Sequence, residues 1–441
     1  MNKVKISFVL LVLIFVLSGC RGHSAVETPS QPANQTPVIT QKGSGWAKDY
    51  SGVAYFNSIQ EMSDGGYILA GDTGSWDGST TSDILVLKVN SNGDKEWAKA
   101  FGRNGSYNGV PVVQSTNDGG YFVAGVTGSY VKGSGRFIIV KFNSKNDEEW
   151  ARVFGLGEKT VVSGPTDFTI QQTDDGGFVV ASRVGGNCFI LKLDPKGNKE
   201  WLKVFNKLRL RSIKQTKDGG YIIGGAVGDH PLGLLIKLER SGCIEWTKTY
   251  KDKLSELGSE FWYVEPTRDR GYMFFSSDSL ILKLDENGNE EWRKVFGRFG
   301  GHHDIASIRQ TNDGGYIAVG GKSVSNEVNS FIIKLDSKGN TEWAKLTAKD
   351  YNFRVIQQTT DGGYIAAGMG TVFKFDSRGN MGNSNCLKDY DPGTVVPPFK
   401  VEVTDITKEV KVEPEPSFRS ELINLSFIAK DVQVTTICDG K

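Results

Sequence analysis

Along most of the chain, short apolar runs alternate with turn-rich polar stretches, and the same order of runs and turns recurs. A first run ends in Gln-Thr, and Asp-Gly-Gly-Tyr leads into a second. A third closes on Lys-(Leu/Phe)-Asp-x-x-Gly-Asn, and Glu-Trp-x-Lys opens the fourth. In one copy these runs are 307–311, 316–320, 330–335 and 342–346. Runs this short, bounded by Gly, Asn and Asp and lacking helical periodicity, predict strands. Trp46, Trp97, Trp150, Trp201, Trp246, Trp292 and Trp343 keep the beat, and repetition at this period marks a repeat fold.

The turns predict how the strands pair. Asp64, Asp118, Asp175, Asp218, Asp313 and Asp361 each begin an Asp-Gly-Gly turn between the first two runs. Asp-Gly pairs favour tight hairpins because they tolerate positive φ. The fifth copy reads Asp269-Arg270-Gly271-Tyr272 and keeps one Gly, so its turn should survive. Between the third and fourth runs, Asn90, Asn143, Asp194, Glu239, Asp285 and Asp336 each stand seven residues before a Trp, which fixes a hairpin register. Four antiparallel strands per repeat match a propeller blade. The ends set the blade count: Trp46 precedes the first Asp-Gly-Gly turn, and Asn383 occupies the place of a Trp after the last.

The expected fold is therefore all-β, a seven-bladed β-propeller of four-stranded antiparallel blades over 46–390. The Trp46 strand closes it by pairing with the last blade and removes the open edges. This makes each Trp strand the outermost of its blade. The basic residue two positions after each Trp (Lys48, Lys99, Arg152, Lys203, Lys248, Lys294, Lys345) suits such an edge, and the Trp itself reads as a wedge between blades. Residues 391–441 break the repeat and carry alternating runs at 399–403, 409–412, 422–428 and 432–437. They predict a small C-terminal β extension, either an appendage clipped by Cys386 and Cys438 or strands packed on the disc.

The amino terminus adds a location. Lys3 and Lys5 precede an apolar run at 6–17, and Leu17-Ser18-Gly19-Cys20 follows. That tetrad resembles a bacterial lipobox, which implies a signal peptide over 1–19 and a lipidated Cys20. Residues 20–45, rich in Pro, Ser, Thr and Gln, read as a flexible tether. The expected product is extracytoplasmic and anchored through its N-terminal lipid to the cell membrane or outer membrane. Lys plus Arg at 52 against Asp plus Glu at 51, with no basic stripe, excludes nucleic acid as a partner. No C-x-x-C spacing offers a metal site, and Cys188 and Cys243 read as unpaired thiols.

With its Asp-Gly-Gly-Tyr and Asp-x-x-Gly-Asn-x-x-Trp repeats, the chain resembles a class of bacterial and archaeal propeller-repeat lipoproteins and secreted proteins without an assigned activity. The element Asp336 to Trp343 is also similar to the tryptophan-docking motif of quinoprotein propellers and to the Asp-box of sialidases, although its Asp-to-Gly distance fits neither. A quinoprotein enzyme implies adjacent Cys residues, which this chain lacks. A sialidase implies an arginine trio with a Tyr and Glu pair, and none stands out from the repeats. The resemblance to cofactor-free quinoprotein-like scaffolds, the outer-membrane-assembly lipoprotein among them, is closer.

Function is expected where the copies disagree, in the loops joining the second to third and fourth to first strands. Those loops hold Trp76, Asp77, Tyr107, Tyr130, Trp262, Arg298, His302 and His303, aromatic and hydrogen-bonding groups suited to a sugar or peptide surface. His302 and His303 are adjacent and lack a third ligand, so they do not read as a metal site. The Asp285 to Asn289 turn reads as a plain hairpin turn, because its Gly is misplaced for a calcium loop. One position of the first strand reads Gln60, Gln114, Gln171, Lys214, Glu265, Arg309, Gln357 around the repeats. Hydrogen bonding between blades explains the glutamines, and a polar patch at the axis is the alternative. The sequence thus points to a monomeric binding or scaffold propeller for a protein or polysaccharide partner, without catalytic residues or cofactor. The alternative is an extracytoplasmic enzyme, carbohydrate-active or quinone-dependent, on the same scaffold.

Overall fold

The computed structural model describes residues 45–73, 83–101, 108–127, 136–156, 168–184, 187–227, 232–251, 261–276, 280–296, 302–324, 327–382, 386–392, 402–405, 407–408, 410, 412–413, 418–422, 428–429 and 432–437. Trp262 and 302–304 are described in backbone alone. The described residues form strands and turns and no helix, and the strands group into seven sheets. Each sheet takes one repeat as four antiparallel strands, here strands a to d. The a strands are Tyr55–Glu61, Asn108–Ser115, Phe168–Gln172, Leu208–Gln215, Phe261–Pro266, His302–Gln310 and Val355–Gln358, and they number blades 1 to 7. Neighbouring a strands touch in cyclic order, the seventh returning to the first, so the chain is a closed seven-bladed β-propeller. Strand d of blade 7 is Trp46–Ser51, with Trp46 opposite Lys374 and Asp49 opposite Thr371.

Burial explains the apolar runs. The middle strands have a neighbouring blade on each face, so Ile84–Val89 is buried at every position and reads as continuously apolar. Core clusters span the joints between blades: Phe122 and Ile139 of blade 2 pack with Phe178 and Leu191 of blade 3, and Tyr50 and Val372 of blade 7 with Leu69 and Leu87 of blade 1. Each Trp is the wedge the sequence suggests. Trp201 meets Tyr221 edge-on at 5.7 Å between ring centroids, and Trp292 meets Tyr316 at 6.1 Å, in each case in the next blade. The turn glycine of that next blade leaves room for the ring: a Cβ on Gly339 would stand 2.6 Å from Trp292, and its φ of 74° favours Gly in any case.

A buried lysine ties each blade together. Lys88, Lys141, Lys192, Lys237, Lys283, Lys334 and Lys374 sit on strand c in otherwise apolar surroundings. Each pairs with the Asp of its Asp-Gly-Gly-type turn, as Lys334 does with Asp313 at 2.8 Å. In blades 1 to 6 the Glu before the Trp is a second partner, such as Glu342 at 2.9 Å from Lys334. A β-bulge makes this possible: Lys334 faces Trp343 and Leu335 faces Thr341, so Glu342 is the extra residue, turned back toward the amine. The second turn glycine supplies the space, since a Cβ on Gly315 would stand 2.6 Å from Lys334 Nζ. In blade 5, Arg270 takes the first glycine's place at a φ of 73° and the turn survives.

These carboxyls give the fold an acid limit. Burial pushes Asp118 and Asp313 up, but bonds from the lysine, a Thr hydroxyl and a Gly N–H outweigh it and hold both at about 2. Asp175, Asp218, Asp269 and Asp361 are lowered by the same balance, and Asp64 by its lysine and Gly66 N–H without a Thr hydroxyl. The unfolded chain, with carboxyls near ~3.9, then binds more protons, so this stabilisation is complete above about pH 4 and lost as pH falls toward 2. The urea midpoint should be level from pH 7 to 5 and drop between pH 4 and 2.5; a level midpoint through that window would count against the lysine–aspartate pairs.

The described C-terminal residues do not form a sheet of their own. Each described tail strand is added antiparallel to the outer edge of a different blade: Leu387–Asp389 on blade 6, Glu402–Asp405 on blade 4, Val412–Glu413 on blade 3, Phe418–Leu422 on blade 2, Ile428–Ala429 on blade 1 and Gln433–Thr436 on blade 7. Of the two forms expected for the extension, strands packed on the disc is the one found. Strand d is therefore covered in six blades, and among the described residues only blade 5 has four strands. The segment between the tail strands of blades 6 and 4 contains Pro392, Pro397 and Pro398, which have no N–H to offer a ladder. The basic residues after the Trp have a different role from the expected edge protection. Lys48 pairs with Asp94 at 2.9 Å and Lys294 donates to Asn340 at 3.0 Å, each in the turn of the next blade.

Candidate functional site

The repeated polar residues are occupied by the fold. In the turns begun by Asn90, Asn143, Asp194, Asp285 and Asp336, the side-chain oxygen accepts from the backbone of its own loop: Asp285 Oδ1 takes Asn287 N at 2.9 Å and Asn289 N at 2.7 Å, which makes this stretch the plain hairpin turn expected. In blade 4 Glu239 accepts from Ser241 Oγ instead. The glutamines of strand a join blades. Gln114 Oε1 accepts from Gln172 N at 3.2 Å and Gln171 Oε1 from Gln215 N at 2.8 Å. The Gln357 amide, oriented as its neighbours require, donates to Ile59 O and accepts from Glu61 N.

That joint changes in blades 4, 5 and 6, where the position reads Lys214, Glu265 and Arg309. The change is coordinated: the residue of blade 5 that would donate to position 214 is Pro266, which has no N–H, so an acceptor there has nothing to accept. A charged cluster takes the place of the hydrogen bond. Glu265 Oε2 lies 3.7 Å from both Lys214 Nζ and Arg309 Nη1. The Arg309 guanidinium stands 4.4 Å over the ring of Tyr263, with Lys214 Nζ 5.4 Å from the same ring. Tyr263 and Glu265 share one face of the strand because they are two residues apart.

The cluster is loosely held. Both ion pairs exceed hydrogen-bond length, and Glu265 Oε2 accepts no hydrogen bond among the described residues. Arg309 donates to Ile308 O at 3.0 Å and hydrogen-bonds Tyr263. Burial pulls the Arg309 guanidinium down, but Tyr263 and Glu265 outweigh it and hold its pKa above the ordinary value. The three charged side chains keep 21 to 25% exposure, although Glu265 Oε2 itself is buried. Two cations share one carboxylate, so the cluster carries a surplus positive charge with unused N–H donors, the arrangement that receives a carboxylate or similar anion.

Of the expected candidates, Trp76, Asp77, Tyr107, Tyr130 and Arg298 lie outside the described residues, as do Cys20 and Cys438. Trp262, His302 and His303 are not in a loop but in a strands. Trp262 falls at a register shift beside Tyr263, while His302 and His303 pair with Ser323 and Lys322 because strand b of blade 6 extends to Val324. Cys386 is disulfide-bonded, and Cys188 and Cys243 are not in a disulfide, as expected of the latter two. Among the described residues no group of three metal-ligating side chains occurs, and no helix is long and apolar enough to cross a membrane. Tyr263 was missed in sequence because it sits in an aromatic stretch; its two-residue spacing from Glu265 is the signal that finds it.

In comparisons of structure, the chain is similar to BBS1N in a complex with ARL6DN (TM-score 0.48, 13% identity, 77% of this chain and 99% of that one). It is similar to YCF48 from Cyanidioschyzon merolae (TM-score 0.47, 10% identity, 75% and 98%). It is also similar to BamB from Moraxella catarrhalis (TM-score 0.37, 12% identity, 74% and 100%). No family model matches the chain, and no curated protein matches its sequence.

Proposed function

We propose that this protein is an extracytoplasmic lipoprotein, anchored through Cys20, that acts as a non-catalytic binding propeller and receives an acidic group of a protein or glycan partner at the axis of blades 4 to 6. The observation that supports the binding site is the Lys214–Glu265–Arg309 cluster over Tyr263, where the hydrogen-bonded joint of other blades gives way to loosely paired charges. The repeated charges elsewhere are engaged with one another, which leaves this cluster as the distinctive chemistry near the axis. The lipobox Leu17 to Cys20 supports the anchor. Binding of acidic peptides and of uronic-acid oligosaccharides to the full chain tests the reading. One of the two should bind, weaken with salt, and lose at least ~tenfold in affinity in Lys214→Ala/Arg309→Ala, since charge-assisted bonds contribute ~1.5–3 kcal/mol each. Binding unchanged in that variant, or absent for both ligand sets, would remove the site.

The same cluster favours the alternative of a carbohydrate-active enzyme, because a phenol, a carboxylate and two cations from three blades converge there. Turnover of a reporter glycoside bearing a carboxylate, abolished by Glu265→Gln, would replace the binding reading.

A further inference from the structure

We infer that the C-terminal tail is a covalently closed belt, its two ends joined by a disulfide between Cys386 and Cys438 after the tail has passed around the propeller. Cys386 is disulfide-bonded while Cys188 and Cys243 take part in no disulfide. The chain has five cysteines, so the partner is Cys20 or Cys438. The course of the tail selects Cys438. It leaves the propeller beside blade 6, visits blades 4, 3, 2 and 1, and ends on blade 7, next to where it began. There Ile437 N donates to Ala47 O at 3.0 Å, and the side chains of Ile437, Cys386 and Leu387 pack on one core cluster with Ala47 and Trp343. Cys438 follows Ile437 directly in the sequence, one residue from the cluster that holds Cys386.

The belt needs such a closure because its rungs are short. Val412–Glu413 and Ile428–Ala429 each match two residues of their blades, and isolated pairings of that length fray. With the end free, the tail can peel from blade 7 inward and uncover the outer strands one after another. With the ends joined, release requires many rungs to open together. The bond forms when the two thiols give two electrons and two protons to an exogenous disulfide, which leaves as two thiols; dithiothreitol reverses it by the same exchange. The belt is thus a redox-sensitive latch over the sheet edges.

The full chain, digested with trypsin without reductant, should give one linked pair, peptides 379–388 and 431–441, that separates on adding dithiothreitol. Linkage of Cys386 to Cys20 or to a second molecule would overturn the proposal. Limited proteolysis within the tail should then run at least ~tenfold faster in Cys438→Ser, and equally fast in the reduced wild type, while Cys243→Ser matches the oxidised wild type. Equal rates for Cys438→Ser and the oxidised wild type would overturn the latch.

Discussion

Replacing Lys192 with Ala should lower the stability of the propeller by about 3 kcal/mol. Lys192 is 1% exposed, pairs with Asp175 at 2.9 Å and Glu200 at 3.3 Å, and donates to Leu193 O at 2.9 Å. Removing one partner of a buried ion pair costs about 3–5 kcal/mol, and the low end applies because water can reach both carboxylates. The cavity left by the alkyl stem adds to the loss. Asp175→Asn should cost less, about 1 kcal/mol, because Glu200 still holds the amine and an amide oxygen still accepts from Thr173 Oγ1 and Gly177 N. Urea unfolding followed by tryptophan fluorescence measures both, and Lys196→Ala, in an exposed turn, is the control. If Lys192→Ala behaved like Lys196→Ala, the buried lysines would not hold the blades.

Deleting 387–441 should make the propeller self-associate. The deletion strips the outer strand from blades 1, 2, 3, 4, 6 and 7 and leaves unpaired backbone on each, a template for pairing with another chain. It also removes Val432, 2% exposed, and the partly buried Leu387, Tyr390, Val434 and Ile437, which pack on the cores of blades 5 to 7 and 1. At ~1 kcal/mol or more for each, the loss exceeds ~5 kcal/mol. Light scattering on a sizing column should show large species, and the melting temperature should fall. A monomer with an unchanged melt would mean that the tail is dispensable decoration.

The exposed position of the Trp strand illustrates how sequence and structure divide the information. Every feature of strand d that suggested an edge, such as the basic residue two positions after each Trp, is present, yet a tail strand covers it in six blades. The covering strands follow no repeat, because adding a strand to an edge asks only for extended backbone and leaves no side-chain signature. The lysines on strand c were hidden for the opposite reason. One stands in every copy, but residue type alone does not show the bulge that in blades 1 to 6 turns the Glu before the Trp back toward it. The axial cluster was half legible: Lys214, Glu265 and Arg309 stand out among glutamines, but their convergence on Tyr263 depends on neighbouring blades.

The sequence by itself determined the strands, the hairpin turns, the number of blades and their closure by Trp46. These depend on contacts within a repeat or between adjacent repeats, and such contacts recur often enough to be read from position and residue type. Only the tertiary structure decided the path of the tail, the partners of the buried lysines and the meeting of charges at the axis. The tail and the axial charges join residues of different blades, whose encounter is set by ring geometry, and the lysine pairs, although within one repeat, depend on a bulge that residue type does not record.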